Sequence, residues 1–271
     1  MLIRSKSVRG FLLRVIGPLG IDVTEQSKSQ ELHELLRVLY PVDSGVELIR
    51  IGPGGDGGYL VPDDLDGIEF AFSPGISSQS GFEADLADRG MQVFLADASV
   101  DGPAEQHQNF TFDKKFIGCY SDETFMTLDE WKSLQIGDHS GDLLLQMDIE
   151  GYEYESLLAA SAGLMSQFRI MVIEVHFLEQ LLSRPWFDLV GRFFRKLLAT
   201  HSVVHIHPNN CCGSVKSMGI ELPRIMEMTL YRNDRLHQRE YASRFPHPLD
   251  ADNTAKPTLR LPRCWYGTKH R

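Results

Sequence analysis

An α/β fold, doubly wound around a mainly parallel sheet, is predicted by three observations. Strand-length apolar runs alternate with helical patterns from residue 69 to residue 207, the signature of strands joined by helical crossovers. Within that span Glu69–Asp97 (EFAFSPGISSQSGFEADLADRGMQVFLAD) reads as strand, small-residue turn, helix and strand. Polar side chains also gather where several strands end, which is where such sheets keep their ligands.

The elements follow in order. The opening MLIRSKSVRGFLLRVIG is basic, and Arg14 interrupts its short apolar centre. It is expected to be a docking or poorly ordered N-terminal helix, with weak contact to an anionic membrane surface as the alternative. Gln30–Leu39 places Leu32, Leu35, Leu36 and Leu39 on one helical face. Residues 50–67 hold six Gly and two Pro, so they cannot form an element interior. Tyr59–Val61 inside them suggests a short strand and therefore an ordered loop. The first unit supplies strands at Phe70–Phe72 and Met91–Ala96 around a helix that carries Phe82 and Leu86. Phe116–Tyr120 is the expected third strand, and Thr127–Leu134 a helix capped by Thr127 with Glu130 three positions on. Then come strand Leu143–Met147, helix Glu153–Met165, strand Phe168–Val175, helix Pro185–Leu198, and strands Val203–His207 and Arg224–Tyr231. No helical pattern separates the last two, so they are expected to pair antiparallel.

Composition bounds the function. With 271 residues, 42% of them hydrophobic and 24% charged, the chain can bury one large core. A formal charge of −10 argues against a general nucleic-acid binder, which needs clustered cations to neutralise phosphates. Cys119, Cys211, Cys212 and Cys264 lack C-x-x-C spacing, and two are adjacent. A disulfide framework is not expected, and a reducing, cytoplasmic setting fits better. No apolar run approaches the roughly 20 residues of a membrane-spanning helix.

The chemistry is expected at the strand ends. The turn after the first strand is Ser73-Pro74-Gly75, and Asp97 closes the second strand 22 positions beyond Gly75. An acid about 20 residues past a glycine turn suits a ribose. The full G-x-G-x-x-G is missing, which weakens a dinucleotide reading and leaves a nucleoside reading intact. Three later strands end in MDIEGYE (Asp148, Glu150, Glu153), IEVH (Glu174, His176) and HIHPNN (His205, His207, Asn209, Asn210). Glu174 lies inside an apolar strand, where an unpaired carboxylate is costly and must meet a cation, a metal or a strong donor. Glu153 and Glu155 in a first helical turn are explained by the helix dipole alone.

DGGYLVPD (56–63), FSPGISSQSGFEADLADRG (72–90), LLLQMDIEGYEYESL (143–157), IEVHFLE (173–179), HPNN (207–210) and LPRIMEMTLYR (222–232) together resemble the FkbM-type S-adenosylmethionine-dependent methyltransferases. The resemblance implies the Rossmann-like class I methyltransferase fold, a seven-stranded, mainly parallel sheet with an antiparallel last strand and helices on both faces. It covers residues 48–232, leaving a helical extension at 1–47 and a tail at 233–271. It implies methyl transfer to a hydroxyl of a sugar, polysaccharide or related secondary metabolite. Ser73, Gly75 and Ser77 would face the methionine part of the cofactor, and Asp97 would hold its ribose. Ser121 and Asp122 would lie near the adenine, and Asp56, Gly58 and Tyr59 would cover the cofactor. The single glycine between Pro74 and Ile76 departs from the family's commoner G-x-N.

An alcohol is barely ionised at pH 7, so its transfer calls for a general base or a metal. His176 is the candidate base, with Glu174 and Asp148 beside it. The rival assignment makes Asp148, Glu174 and His176 ligands of a divalent ion (Mg, Mn or Zn). Glu150, Tyr152, His207 and Asn209 are the candidate acceptor contacts. Two other functions are weighed: a nucleoside-binding module without catalysis, and a nicotinamide-dependent oxidoreductase on a similar sheet.

Overall fold

The computed structural model describes residues 10–20, 23–76 and 79–267. Its centre is a sheet of seven strands: β1 (Phe70–Pro74), β2 (Gln92–Ala96), β3 (Phe110–Asp113), β4 (Leu143–Met147), β5 (Phe168–Val175), β6 (His201–Pro208) and β7 (Met226–Arg232). Their order is β6-β7-β5-β4-β1-β2-β3. β1 pairs parallel with β2 and β4, β2 with β3, and β4 with β5, whereas β7 runs antiparallel between β5 and β6. Residues 77–78, including Ser77, lie outside the described residues, as do residues 1–9 of the basic N-terminal segment.

Period-2 alternation divides the strands between two cores. Leu143, Leu145 and Met147 face a cluster with Trp131, Leu157 and Phe193, while Leu144 faces one with Tyr59, Phe82 and Leu86. The helices are α1 (Ser29–Val38), α2 (Gly81–Asp88), α3 (Leu128–Ile136), α4 (Glu153–Ala159), α5 (Ala162–Gln167) and α6 (Arg184–Leu197). Residues from α1, α3, α4, α5 and α6 pack in the first cluster, and α2 packs in the second. A hairpin of Leu48–Ile51 and Tyr59–Pro62 completes the second face, tied to β7 by the bond from Thr229 Oγ1 to the Leu60 carbonyl at 2.6 Å.

Two elements differ from the sequence reading. The third strand of the sheet is Phe110–Asp113, and Phe116–Gly118 instead forms a short parallel ladder with Phe125–Thr127. β3 is an edge strand whose four residues are all half-buried, so it lacks the apolar run that marks an inner strand. The helix expected over 153–165 is two helices, because Ser161 caps a fresh start by accepting from the Leu164 amide at 3.1 Å. The expected Thr127 cap is present, accepting from the Glu130 amide at 3.2 Å.

Candidate active site

The parallel strands all present their carboxyl ends to one edge, and the loops there enclose a cavity of about 480 Å³. Gly75, Asp97, Asp148, Glu150 and Tyr152, all expected from the sequence, line it. So do Ser99, Val100, Phe116, Ile117, Phe125 and Ile149, which sequence reasoning missed. Gly75 has φ of +87°, and a Cβ there would lie 1.5 Å from the Asp148 carbonyl oxygen. Only glycine lets the loops after β1 and β4 approach this closely. Asp97 ends β2 and its Oδ1 accepts from the Ser99 amide at 2.7 Å and the Ser99 hydroxyl at 2.6 Å. Its Oδ2 has no partner among the described residues, so one carboxylate oxygen is held in place while the other is free to accept.

A small polar recess shares Gly75, Ile76 and Asp148 with the cavity and adds Asp56, Tyr59, Glu83 and Gln146. Ser73 sits behind it, with its hydroxyl 2.5 Å from Glu83 Oε1 and 2.6 Å from Gln146 Oε1. One hydroxyl proton cannot serve two acceptors. Burial pushes the Glu83 carboxyl up, toward the protonated form that is able to donate to this hydroxyl.

Beyond Asp148 lies His176, at the end of β5. Its Nδ1 is 3.1 Å from Glu153 Oε1 and 3.1 Å from the Glu174 carbonyl. Two acceptors there hold a proton on Nδ1, and Nε2 faces Asp148 Oδ1, at 3.7 Å, and Glu150 Oε2, at 3.4 Å. The first turn of α4 fixes this geometry. Glu153 is fully buried, and its Oε1 also accepts from the amides of Ile149, at 2.9 Å, and Gly151, at 3.2 Å. Tyr154 donates to the His176 carbonyl at 2.5 Å. The helix-dipole account of Glu153 is therefore too weak; this carboxylate holds both the loop and the imidazole. The loop is strained, with Glu150 at φ +56° and Phe177 also at +56°, the kind of backbone found where a side chain must be aimed.

Further along the sheet, Glu174 accepts from Asn209 Nδ2 at 2.7 Å. It lies directly opposite Glu227 of β7, which in turn lies opposite His207 of β6. Glu227 was missed, although it interrupts an apolar strand just as Glu174 does. The tail reaches this row. Asn253 donates to Glu227 Oε1 at 2.5 Å and to Asp56 Oδ1 at 3.3 Å. Asp250 accepts from His205 at 2.9 Å and lies 3.6 Å from His207 Nδ1. His207 Nε2 is buried without a partner.

Burial sets the charge state of the row. Loss of water, reinforced by Glu174, pushes the Asp148 carboxyl up to about 8. Loss of water and the facing Glu227 push Glu174 up to about 8. Burial opposes charge on His176, but the Glu153 hydrogen bond and the acids around it win and raise it to about 9. Burial lifts Glu227 to about 7 against the pull of His207 and Asn253. These groups share protons, so the cluster titrates as a unit.

The ion-binding set differs from the sequence reading. Asp148, Glu150 and His176 offer ligand atoms within 4.8 Å of one another, whereas Glu174 is engaged by Asn209. Asp148 Oδ1 is buried without a hydrogen-bond partner, so the residues fit a divalent cation. Ser121 and Asp122 do not line the cavity. The Ser121 hydroxyl is taken by Glu130 and the Thr127 amide. Asp122 folds its own turn by accepting from the amides of Thr124 and Phe125, both at 2.7 Å. Gly58 serves the hairpin loop, where a Cβ would meet the Pro53 carbonyl oxygen at 2.0 Å.

Residues 78–207 match the family model of the methyltransferase FkbM domain. No curated protein matches the chain. Among solved structures, a chain of the fibrillarin/Nop5p complex is similar at 15% identity and TM-score 0.38, covering 62% of this chain and 74% of that one. N-methyltransferase NodS from Bradyrhizobium japonicum WM9 is similar at 12% identity and TM-score 0.36, covering 75% and 95%. TrmN from Thermus thermophilus follows at 11% and 0.28, covering 60% and 44%. Likenesses this slight carry no argument about chemistry.

Proposed function

We propose that this chain, whose residues 78–207 are a methyltransferase FkbM domain, is an S-adenosylmethionine-dependent O-methyltransferase acting on a hydroxyl of a sugar, polysaccharide or related secondary metabolite. The observation that carries the reading is one juxtaposition. A ligand-sized cavity bounded by Asp97 ends at Asp148, and His176 Nε2 stands 3.7 Å behind that residue.

Bound, S-adenosylmethionine supplies a methyl group already activated on a sulfonium. Asp97 would accept from its ribose hydroxyls through the free Oδ2. Phe116, Ile117 and Phe125 offer an apolar wall for the adenine. Asp56, Tyr59, Glu83 and Gln146 offer polar partners for the methionine end. His176 would take the acceptor's proton at Nε2, while Glu153 keeps Nδ1 protonated and stabilises the imidazolium that results. In the free protein His176 is charged at neutral pH, so it becomes a base only after surrendering that proton. A cation lodged beside Asp148 would favour that loss, because it takes over part of the neutralisation the proton provides. Glu150, Tyr152, His207 and Asn209 would meet the acceptor.

A second reading rests on the partnerless Asp148 Oδ1. Asp148, Glu150 and His176 would then hold Mg, Mn or Zn, which lowers the pKa of a coordinated hydroxyl. Full activity after exhaustive chelation would exclude it.

The test is turnover of labelled S-adenosylmethionine against a panel of sugars, polysaccharides and amines. Label is expected on hydroxyl acceptors, and H176A should lower kcat by roughly 10²–10⁴-fold with little change in affinity for S-adenosylhomocysteine. Transfer to amines alone would overturn the assignment to oxygen. Thermal stabilisation by NAD rather than by S-adenosylmethionine would instead favour the oxidoreductase.

A further inference from the structure

Backbone strain picks out one side chain beside the site that the mechanism does not use. Among the described residues, three that are not glycine have positive φ: Glu150, Phe177 and Met218. Met218 has a local reason, because with Gly219 it makes the two-residue turn between Ser214–Ser217 and Ile220–Pro223. Glu150 sits in a turn closed by the bond from the Tyr152 amide to the Ile149 carbonyl at 3.2 Å. Phe177 precedes the 3-10 turn Leu178–Leu182 at φ +56° and ψ +32°. A residue in that place is ordinarily extended, and a bulky one in the left-handed region is a true outlier. Its ring lies against the backbone of Gly151, where a Cβ would come 2.4 Å from Phe177 Cε2, yet 41% of the residue stays exposed. Gly151 separates Glu150 from Tyr152, which both line the cavity, and the His176 ring is 6.0 Å from that of Phe177. A single exposed aromatic residue needs no explanation. One held there against its own backbone preference, next to the candidate base, does.

From this we infer that Phe177 is the platform on which the acceptor stacks, and that the acceptor is a sugar presented by the face of its ring. The inference rests on the hydroxyl acceptor proposed above and narrows it. A pyranose carries C–H groups on its faces and hydroxyls around its rim. The faces gain by leaving water against an aromatic ring, and phenylalanine, with no polar tip, suits them. The rim needs hydrogen-bond acceptors, and the Glu150 carboxylate, whose side chain is 84% exposed, supplies one. A carboxylate beside an aromatic ring would also suit an ammonium group. Here, however, Glu150 Oε2 already has His176 Nε2 3.4 Å away. A second cation would compete with the imidazole, whereas a hydroxyl can donate to the carboxylate and stand beside Nε2 at once. Stacking fixes the plane of the sugar, and a fixed plane is what brings one rim hydroxyl in line with the methyl group.

The test compares the full wild-type chain with F177A, F177Y and F177W. The probes are methyl glycosides of glucose, galactose, mannose, fucose and glucosamine. Their binding to protein loaded with S-adenosylhomocysteine is read by saturation-transfer NMR with irradiation of the aromatic protons, and their methylation as KM and kcat. A neutral glycoside is expected to receive saturation at its ring C–H protons and to lose it in F177A. Its KM should rise about tenfold in F177A while kcat and affinity for S-adenosylhomocysteine change less than about threefold, and F177Y and F177W should restore it. An unchanged KM in folded F177A would overturn the inference and leave the O-methyltransferase reading intact. Equal losses in KM, kcat and S-adenosylhomocysteine affinity would make Phe177 a support for the Gly151 loop, and overturn it too. Neutral-glycoside binding that F177A abolishes, without methylation of any hydroxyl, would keep the platform and sink the reading above. No neutral glycoside bound by the wild type, or binding confined to the glucosaminide and lost on acetylation of its amine, would overturn the inference.

Discussion

A carboxyl group that loses its water must keep a proton, find a cation or accept strong hydrogen bonds. Asp97 takes the last course with one oxygen and leaves the other free. The substitution Asp97→Ala removes a charge-assisted acceptor worth about 1.5–3 kcal/mol. Stabilisation of the protein by S-adenosylhomocysteine in a thermal-shift assay should therefore largely vanish, and an unchanged shift would remove Asp97 from the site. Asp148, Glu174 and His176 take the first course, with folded-state pKa values raised to about 8, 8 and 9. Each raised group contributes stability that is present below its unfolded value and lost as pH rises through its folded value. From pH 6.5 to about 8 the folded chain holds protons on all three that the unfolded chain has released, and to about pH 9 it holds one on His176, so the free protein should lose on the order of 1 kcal/mol per pH unit for each such proton. Calorimetry should show Tm falling across that window, and E174Q should flatten the slope. A Tm that rises from pH 6.5 to 9 would contradict the charge states assigned to the cluster. His201, held down to about 4 by burial, acts below this window and does not disturb it.

At the scale of the element, α4 decides where His176 points. Its Glu153 binds the imidazole, and its Tyr154 binds the backbone carbonyl of the same residue. E153Q keeps the volume and removes the charge that holds His176 up. The His176 pKa should then fall from about 9 toward its ordinary 6.5, read by NMR titration of the ring. The acid limb of the rate profile should move to lower pH with it, and an unmoved pKa would show that Glu153 only supports the loop. The strands that carry the site were legible because each is a mostly apolar run ending in a polar cluster: Leu143–Met147 and Phe168–Val175 are found with the bounds expected. β3 was not legible, because an edge strand with one neighbour needs no such run. The cavity wall at Phe116, Ile117 and Phe125 was hidden for a related reason. A parallel ladder between segments only seven residues apart leaves no periodic mark in so short a stretch. Glu153 showed in the sequence as an acid at a helix start, and only its complete burial reveals the second task.

Across the whole molecule, the acid and imidazole row joins parts of the chain far apart in sequence. Glu174, Glu227 and His207 sit side by side on β5, β7 and β6. Asn253 from the tail bridges Glu227 to Asp56 of the N-terminal hairpin loop. Sequence reading reached the first and third of these residues by their place at strand ends. It could not assign Asp250 or Asn253, because a polar, proline-containing tail carries no periodicity to place it. The strand order, with β4 at the centre and β7 inserted antiparallel between β5 and β6, is what brings the ribose acceptor, the imidazole and the tail to one edge. All of the chemistry above depends on a nucleoside cofactor seated at that edge. Isothermal calorimetry of S-adenosylhomocysteine titrated into the folded wild-type chain measures this most directly. One site per chain with a dissociation constant on the order of micromolar is expected, and no heat of binding from folded protein, at two temperatures, would contradict the account.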